Sequence, residues 1–215
     1  MLTVDKRYRY LYKPAVFIAS LVPFLLLLGG AFNVLGLDLG ADPIERLLHT
    51  LGKTGLNFLL ITLLVTPVRQ ITGWTHVIRL RRMLGLFAFF YVALHFAVYL
   101  FLDRGLDMGE VIEDIAKRPY ITIGFIALLM LIPLAITSTN KMMRRLGKRW
   151  QKLHQLIYVA TILGVWHFYW QVKKDIREPL IYVGILAVLL GYRVFKRWRK
   201  SLTSKSVSST APERI

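Results

Sequence analysis

Three histidines are the residues of this chain best suited to chemistry. His154 and His167 stand near the two ends of an apolar stretch at 150–170, WQKLHQLIYVATILGVWHFYW, and His95 stands inside another apolar run at 83–102. Neutral imidazole is a good axial ligand for haem iron. Thirteen helical residues would separate His154 from His167 by roughly 20 Å along the axis. His95 lies a similar distance, about 20 Å of helix, beyond Arg82 and so matches His167 in height. The pair could ligate one haem on both faces, and His154 at the other end would serve a second, inner haem. On an ideal helix His154 and His167 point about 140° apart, so they address different neighbours. The inner haem has no evident second ligand: Arg82 and Arg81, thirteen and fourteen residues before His95, hold the corresponding places just ahead of the third run, and His76 arrives there only if its loop folds inward.

Each histidine also has a plainer reading, a hydrogen bond to a neighbouring helix or a place at an interface. His154, beside Lys152, fits that reading best. Zinc is disfavoured for the matched pair because no carboxylate or thiol lies at its depth to complete a tetrahedral site. His49 reads as a surface histidine, with a quinone or partner contact as its functional alternative.

The elements that must hold these residues are apolar helices. Hydrophobic residues make up 55% of the 215, and runs near or beyond ~18 apolar residues recur, the pattern of transmembrane helices. Cys is absent, which excludes disulfides, thiolate metal sites and iron–sulfur clusters. The net charge of +17 is patterned: 21 of the 29 Lys and Arg fall in 1–14, 69–82, 138–152 and 193–215, with only Asp5 and Glu213 among the acids. The alternate connections, 36–53, 103–118 and 171–178, hold 10 of the 12 acids. That alternation is the positive-inside bias of a membrane protein. Nucleic acid is set aside as a partner because the bases flank spans rather than line one surface.

Six spans are predicted, at 15–35, 56–68 (starting nearer Gly52 to reach membrane length), 83–102, 120–137, 153–171 and 180–195. The first is too long for a signal-peptide core and lacks a small-x-small cleavage site, so it is retained as a helix bent at Pro23. The expected fold is all-α, a polytopic six-helix transmembrane bundle over 15–197 with both termini cytoplasmic. A basic N-terminus (1–14) precedes it and a basic tail (198–215), expected to be disordered, follows. Helices are required because an unpaired backbone group in lipid costs several kcal/mol. In this assignment all 41 Asp, Glu, Lys and Arg residues lie outside the membrane core. Proton- or ion-coupled transporters usually need an acid or base inside it, so the pattern argues against a transporter.

Four runs carry a family resemblance: GADPIERLLHTLGKTGLNFLLITLLVTPVR, RRMLGLFAFFYVALHFAVYLF, RPYITIGFIALLMLIPLAITSTNKMMRRLGKRWQKLHQLIYV and WHFYW. They resemble the haem-binding membrane subunit of bacterial periplasmic methionine sulfoxide reductase systems, the MsrQ type, within the ferric-reductase-like transmembrane group. The resemblance covers about residues 10–195, and its most specific parts are RRxLG with the later LH, and TSTN…LGKRWQxLHxLxY. It implies a multi-pass cytochrome of the bacterial inner membrane with haem b (one or two) and FMN. It implies electrons taken from the quinone pool, or from a cytoplasmic flavin reductase, and passed to a periplasmic molybdopterin-containing catalytic subunit that repairs oxidised envelope proteins. It places haem ligation on His95, His154 and His167. The wider group's fuller pattern has two histidines on span three, where this chain has His95 alone, and no motif here marks an FMN site.

The function expected is therefore an electron wire whose substrate chemistry sits in a partner. A stand-alone ferric reductase is the nearest rival, disfavoured because the chain ends about twenty residues beyond span six without a flavin- or nicotinamide-binding domain. The rival from another class is a haem-free membrane scaffold or carrier whose histidines only join helices.

Overall fold

A computed structural model describes residues 4–172 and 175–209, all helices and short connections. A turn, α1 (Val4–Arg7), and a wider π turn (Tyr8–Tyr12) run into α2 (Lys13–Ala31). Then come α3 (Pro43–Thr72), α4 (Arg81–Val98) with a π turn continuing it to Asp103, and α5 (Met108–Lys117). The remainder is α6 (Pro119–Ile136), α7 (Asn140–Leu146), α8 (Lys148–Leu153), α9 (Leu156–Gln171) and α10 (Arg177–Ser209).

Among the described residues five helices are long and apolar enough to cross a membrane: Tyr8–Ala31, Pro43–Thr72, Thr75–Asp103, Pro119–Ile136 and Arg177–Ser201. The expected fifth span is α9, only 16 residues. It is short because the chain turns at His154–Gln155 instead of running as one helix from Trp150. Hence His154 and His167 do not share a helix. α9 packs against α6, α3 and α10, and α3 against α4, so the core is a four-helix unit of α3, α4, α6 and α9.

Other boundaries differ from expectation for local reasons. α3 starts at Pro43, well inside the segment expected as a loop, because Asp42 caps it by accepting from Glu45 N at 3.0 Å and Pro43 occupies its first turn. The acidic connection carries α5, capped in the same way by Asp107. The tail expected to be disordered from residue 198 continues α10 to Ser209, Arg199 and Lys200 at its start being good helix formers; residues 210–215 lie outside the described residues. Pro14, at the expected domain boundary, sits inside the first turn of α2.

The bundle has a basic end and an acidic end. At the first, Tyr8 meets His76 and Arg79, and Arg82 donates to Asn140. At the second, Lys53 pairs with Glu178 at 3.0 Å and Arg104 with Asp114 at 2.9 Å.

Two proline sites are repaired by side chains from other helices. Pro67 lies inside α3 and has no N–H for the carbonyl of Leu63, a residue with 0% exposure. Arg193 of α10 donates to that carbonyl while its guanidinium lies 5.3 Å over the Tyr158 ring. Arg193 therefore stands within a membrane-long helix and points inward, against the expectation that every charge lies outside the core; the missing donor gives it a partner there. Near Pro23 of α2, the fully buried Tyr91 hydroxyl donates to Ser20 O at 2.6 Å and accepts from Phe24 N at 3.2 Å. It is inserted into the helical ladder beside Pro23.

Candidate two-histidine site

His95 on α4 and His167 on α9 face each other, with ring centroids 6.2 Å apart and planes at 74°. Each ring is fixed in the same way. The Nδ1–H of His95 donates to Leu48 O of α3 at 2.9 Å, and that of His167 donates to Tyr120 O of α6 at 2.7 Å. A carbonyl only accepts, so both rings hold their proton on Nδ1 and leave an Nε2 lone pair free. Outer-shell carbonyls orient metal-binding imidazoles in this way.

Glycine clears the space for each ring. A Cβ on Gly52 would stand 3.2 Å from His95 Nδ1, and one on Gly124 would stand 2.8 Å from His167 Nδ1. In both cases the glycine lies one turn after the accepting carbonyl, and that carbonyl precedes its histidine by 47 residues. The arrangement is thus used twice, once in the α3–α4 pair and once in the α6–α9 pair. Leu48, Gly52, Tyr120 and Gly124 were missed in the sequence, yet the glycines carried a signal: each precedes its histidine by 43 residues.

The two rings line a cavity of about 240 Å³ between α3, α4, α6 and α9. Its depth is apolar, with Leu59, Leu128, Leu131 and Phe168, and small residues Ala127, Ala160 and Gly164 make room. Its mouth opens at the acidic end among His49, Lys53, Asp103, Arg104, Arg118 and Gln171.

The remaining histidines lie elsewhere. His154 Nε2 is 3.1 Å from Thr137 Oγ1, and its ring stacks at 3.9 Å on Trp150, whose Nε1 donates to Thr137 O at 3.0 Å. Burial, and after it the charge of Arg81, pushes the His154 pKa below its ordinary value. His76 packs on Tyr8 at 6.5 Å, and among the described residues its buried Nδ1 has no hydrogen bond. His49 stands at the mouth, 3.3 Å from Glu45.

A membrane bundle with paired imidazoles over a four-helix cavity is matched over residues 51–165 by the family described as Ferric reductase like transmembrane component. The matched segment contains His95 and His154 and stops two residues before His167. Its class is thus a ferric-reductase-like transmembrane component. The chain is 52% identical over 203 residues, 93% of either chain, to the protein-methionine-sulfoxide reductase heme-binding subunit MsrQ of Xanthomonas euvesicatoria pv. vesicatoria. It is 48% identical over 204 residues to the subunit of the same name from Herminiimonas arsenicoxydans, covering 94% of this chain and 92% of that one. With the subunit from Xanthomonas oryzae pv. oryzae it shares 53% over 188 residues, 86% of each chain. The chain belongs to the MsrQ family of multi-pass membrane proteins.

The residues present fit the haem that this family implies. A metal–imidazole bond of ~2.0 Å puts a metal about 3 Å from each ring centroid, so two imidazoles reaching one metal from opposite sides would stand roughly 6 Å apart. The observed 6.2 Å meets that requirement. The Nδ1-protonated tautomer presents the correct nitrogen, and the cavity depth suits an apolar macrocycle.

Proposed function

We propose that this chain is a b-type cytochrome of the bacterial inner membrane, the electron-delivering subunit of a methionine sulfoxide reductase. The observation that carries the proposal is the His95–His167 pair, two oppositely mounted imidazoles with free Nε2 atoms over one cavity. Bound haem supplies a one-electron carrier. Leu48 and Tyr120 fix the His95 and His167 rings, which would hold the group, and the apolar side chains of the cavity would surround it and exclude water. Relatives named as heme-binding subunits of protein-methionine-sulfoxide reductase support methionine sulfoxide in a partner as the final acceptor.

The finer parts of the proposal rest on family resemblance. Electrons come from the quinone pool or a flavin reductase and leave to a periplasmic molybdopterin-containing catalytic subunit; FMN belongs to the same scheme, with no residue assigned to it. α9 is the sixth crossing, and the basic end, where the Tyr8 and Arg82 contacts gather three basic segments, is the cytoplasmic one. His154, whose Nε2 now meets Thr137, would hold a second, inner haem.

A reduced-minus-oxidised spectrum with haem-to-protein stoichiometry on detergent-purified protein tests the reading. One haem should disappear in both His95→Ala and His167→Ala, and electron delivery to the co-expressed catalytic partner should stop with it. A separate loss in His154→Ala would establish the inner haem; full retention would leave His154 to Thr137 and Trp150. A parent chain with no Soret band, made in cells able to supply haem, would refute the cytochrome and favour the scaffold.

A further inference from the structure

The cavity mouth is built in two layers of charge. Lys53, Arg104 and Arg118 line it with one carboxylate, Asp103, and Asp114 and Glu178 stand outside the lining, paired with these bases. Lys53 is engaged by Glu178. The two arginines share one anchor: Asp114 takes Arg104 Nη2 at 2.9 Å, Arg118 Nε at 3.0 Å and the Tyr99 hydroxyl at 2.9 Å. Asp114 is a charged residue only 7% exposed, carried on α5 beside the buried Val111. Burial opposes the charge of Arg104, but Asp114 and then Asp103 outweigh it and raise the guanidinium pKa above its ordinary value.

The anchoring leaves donors over. Arg118 meets Asp114 through Nε, which leaves both its Nη groups. Arg104 also faces Glu110 through Nη1 at 3.5 Å and Asp103 through Nε at 3.3 Å. That buried Nε has no hydrogen bond among the described residues, so the spare donors of Arg104 are its remaining Nη hydrogens. Guanidiniums with spare donors bind carboxylates in a forked geometry. The porphyrin of b-type haem is an apolar disc with two carboxylates on one edge. An apolar depth with a doubly arginine-lined mouth is complementary to that shape, and burying the carboxylates in the apolar depth would leave them unpaired.

Building on the haem reading above, we propose that Asp114 is a positioning residue that aims Arg104 and Arg118 into the mouth of the His95–His167 cavity, where they bind the two porphyrin carboxylates. The macrocycle edge bearing those carboxylates then faces the acidic end of the bundle.

Midpoint potential and haem occupancy of the full chain, purified with its native haem, test this. Ferric haem carries one more positive charge than ferrous, so a nearby cation favours reduction and its loss lowers the midpoint. Arg104→Gln and Arg118→Gln should lower it and reduce occupancy several-fold, and Arg104→Lys should keep most of the potential. Asp114→Asn is decisive because two effects oppose each other. Loss of a negative charge alone would raise the midpoint, whereas release of both arginines lowers it. A fall with reduced occupancy is expected; a rise, or no change with haem retained, overturns the inference. If Asp114→Asn does not fold, an unmoved potential in Arg104→Gln and Arg118→Gln overturns it equally. A parent chain without haem defeats the cytochrome reading itself, a result distinct from haem present and indifferent to these variants.

Discussion

Arg193→Met should destabilise the bundle because of Pro67, and that dependence can be measured. Pro67 deprives the Leu63 carbonyl of its helical donor, and Arg193 from α10 supplies one. A hydrogen bond involving a charged group contributes about 1.5–3 kcal/mol in soluble proteins, while interhelical bonds in membranes average about 0.6 and reach ~1.7 kcal/mol. A loss of about 1–2 kcal/mol is therefore expected for Arg193→Met. In a Pro67→Ala background the new Ala N–H restores the i→i−4 bond to Leu63, so the same substitution should cost about 1 kcal/mol less. The contacts of Arg193 with Tyr158 and with Leu189 O, 5.3 and 3.0 Å, are lost in both backgrounds and cancel from the cycle. Reversible unfolding in mixed micelles with rising SDS fraction, followed by helical circular dichroism, gives the four stabilities. Equal costs in the two backgrounds, within the ~0.3–0.5 kcal/mol of ordinary additivity, would refute the proline-repair account.

The glycines under the histidines should rank by their clearances. Gly124→Ala, whose Cβ would meet His167 Nδ1 at 2.8 Å, should lose most of its haem, and Gly52→Ala, at 3.2 Å from His95 Nδ1, should lose less; equal occupancy in the two contradicts the geometry. Tyr91→Phe strands Ser20 O and Phe24 N beside Pro23 and should cost about 1–3 kcal/mol in the same unfolding assay, unless the ladder closes on itself. A parent-like stability together with faster amide exchange at Phe24 would be inconsistent with either state. Asp42→Ala removes the α3 cap and should cost about 1 kcal/mol, with the loss seen as faster exchange of the Glu45 amide.

Much of the fold was legible along the chain. Long apolar runs must be helices in lipid because a helix satisfies every backbone group internally, and the spans around 83–102 and 120–137 are found as α4 and α6. The alternation of bases and acids marks two ends, and contacts such as Tyr8 with His76 and Lys53 with Glu178 realise them. The start of α3 was also written locally, in Asp42-Pro43 followed by Glu45, although a loop reading based on Gly and acid content concealed it.

The site divides along the same line. Sequence identified imidazole as the reactive group and, by counting residues along helices, put His95 and His167 at one height. Only the tertiary structure decided that these two rings meet while His154 turns to Thr137 and Trp150. It also decided that the carbonyls of Leu48 and Tyr120 hold the protons and that Arg193 points inward to Leu63. A linear pattern gives a residue's rise along its own helix, 1.5 Å at a time. It does not give the rotation of that helix against its neighbours, and that rotation is set by close packing at places such as Gly55 against Val92 and Gly124 against His167.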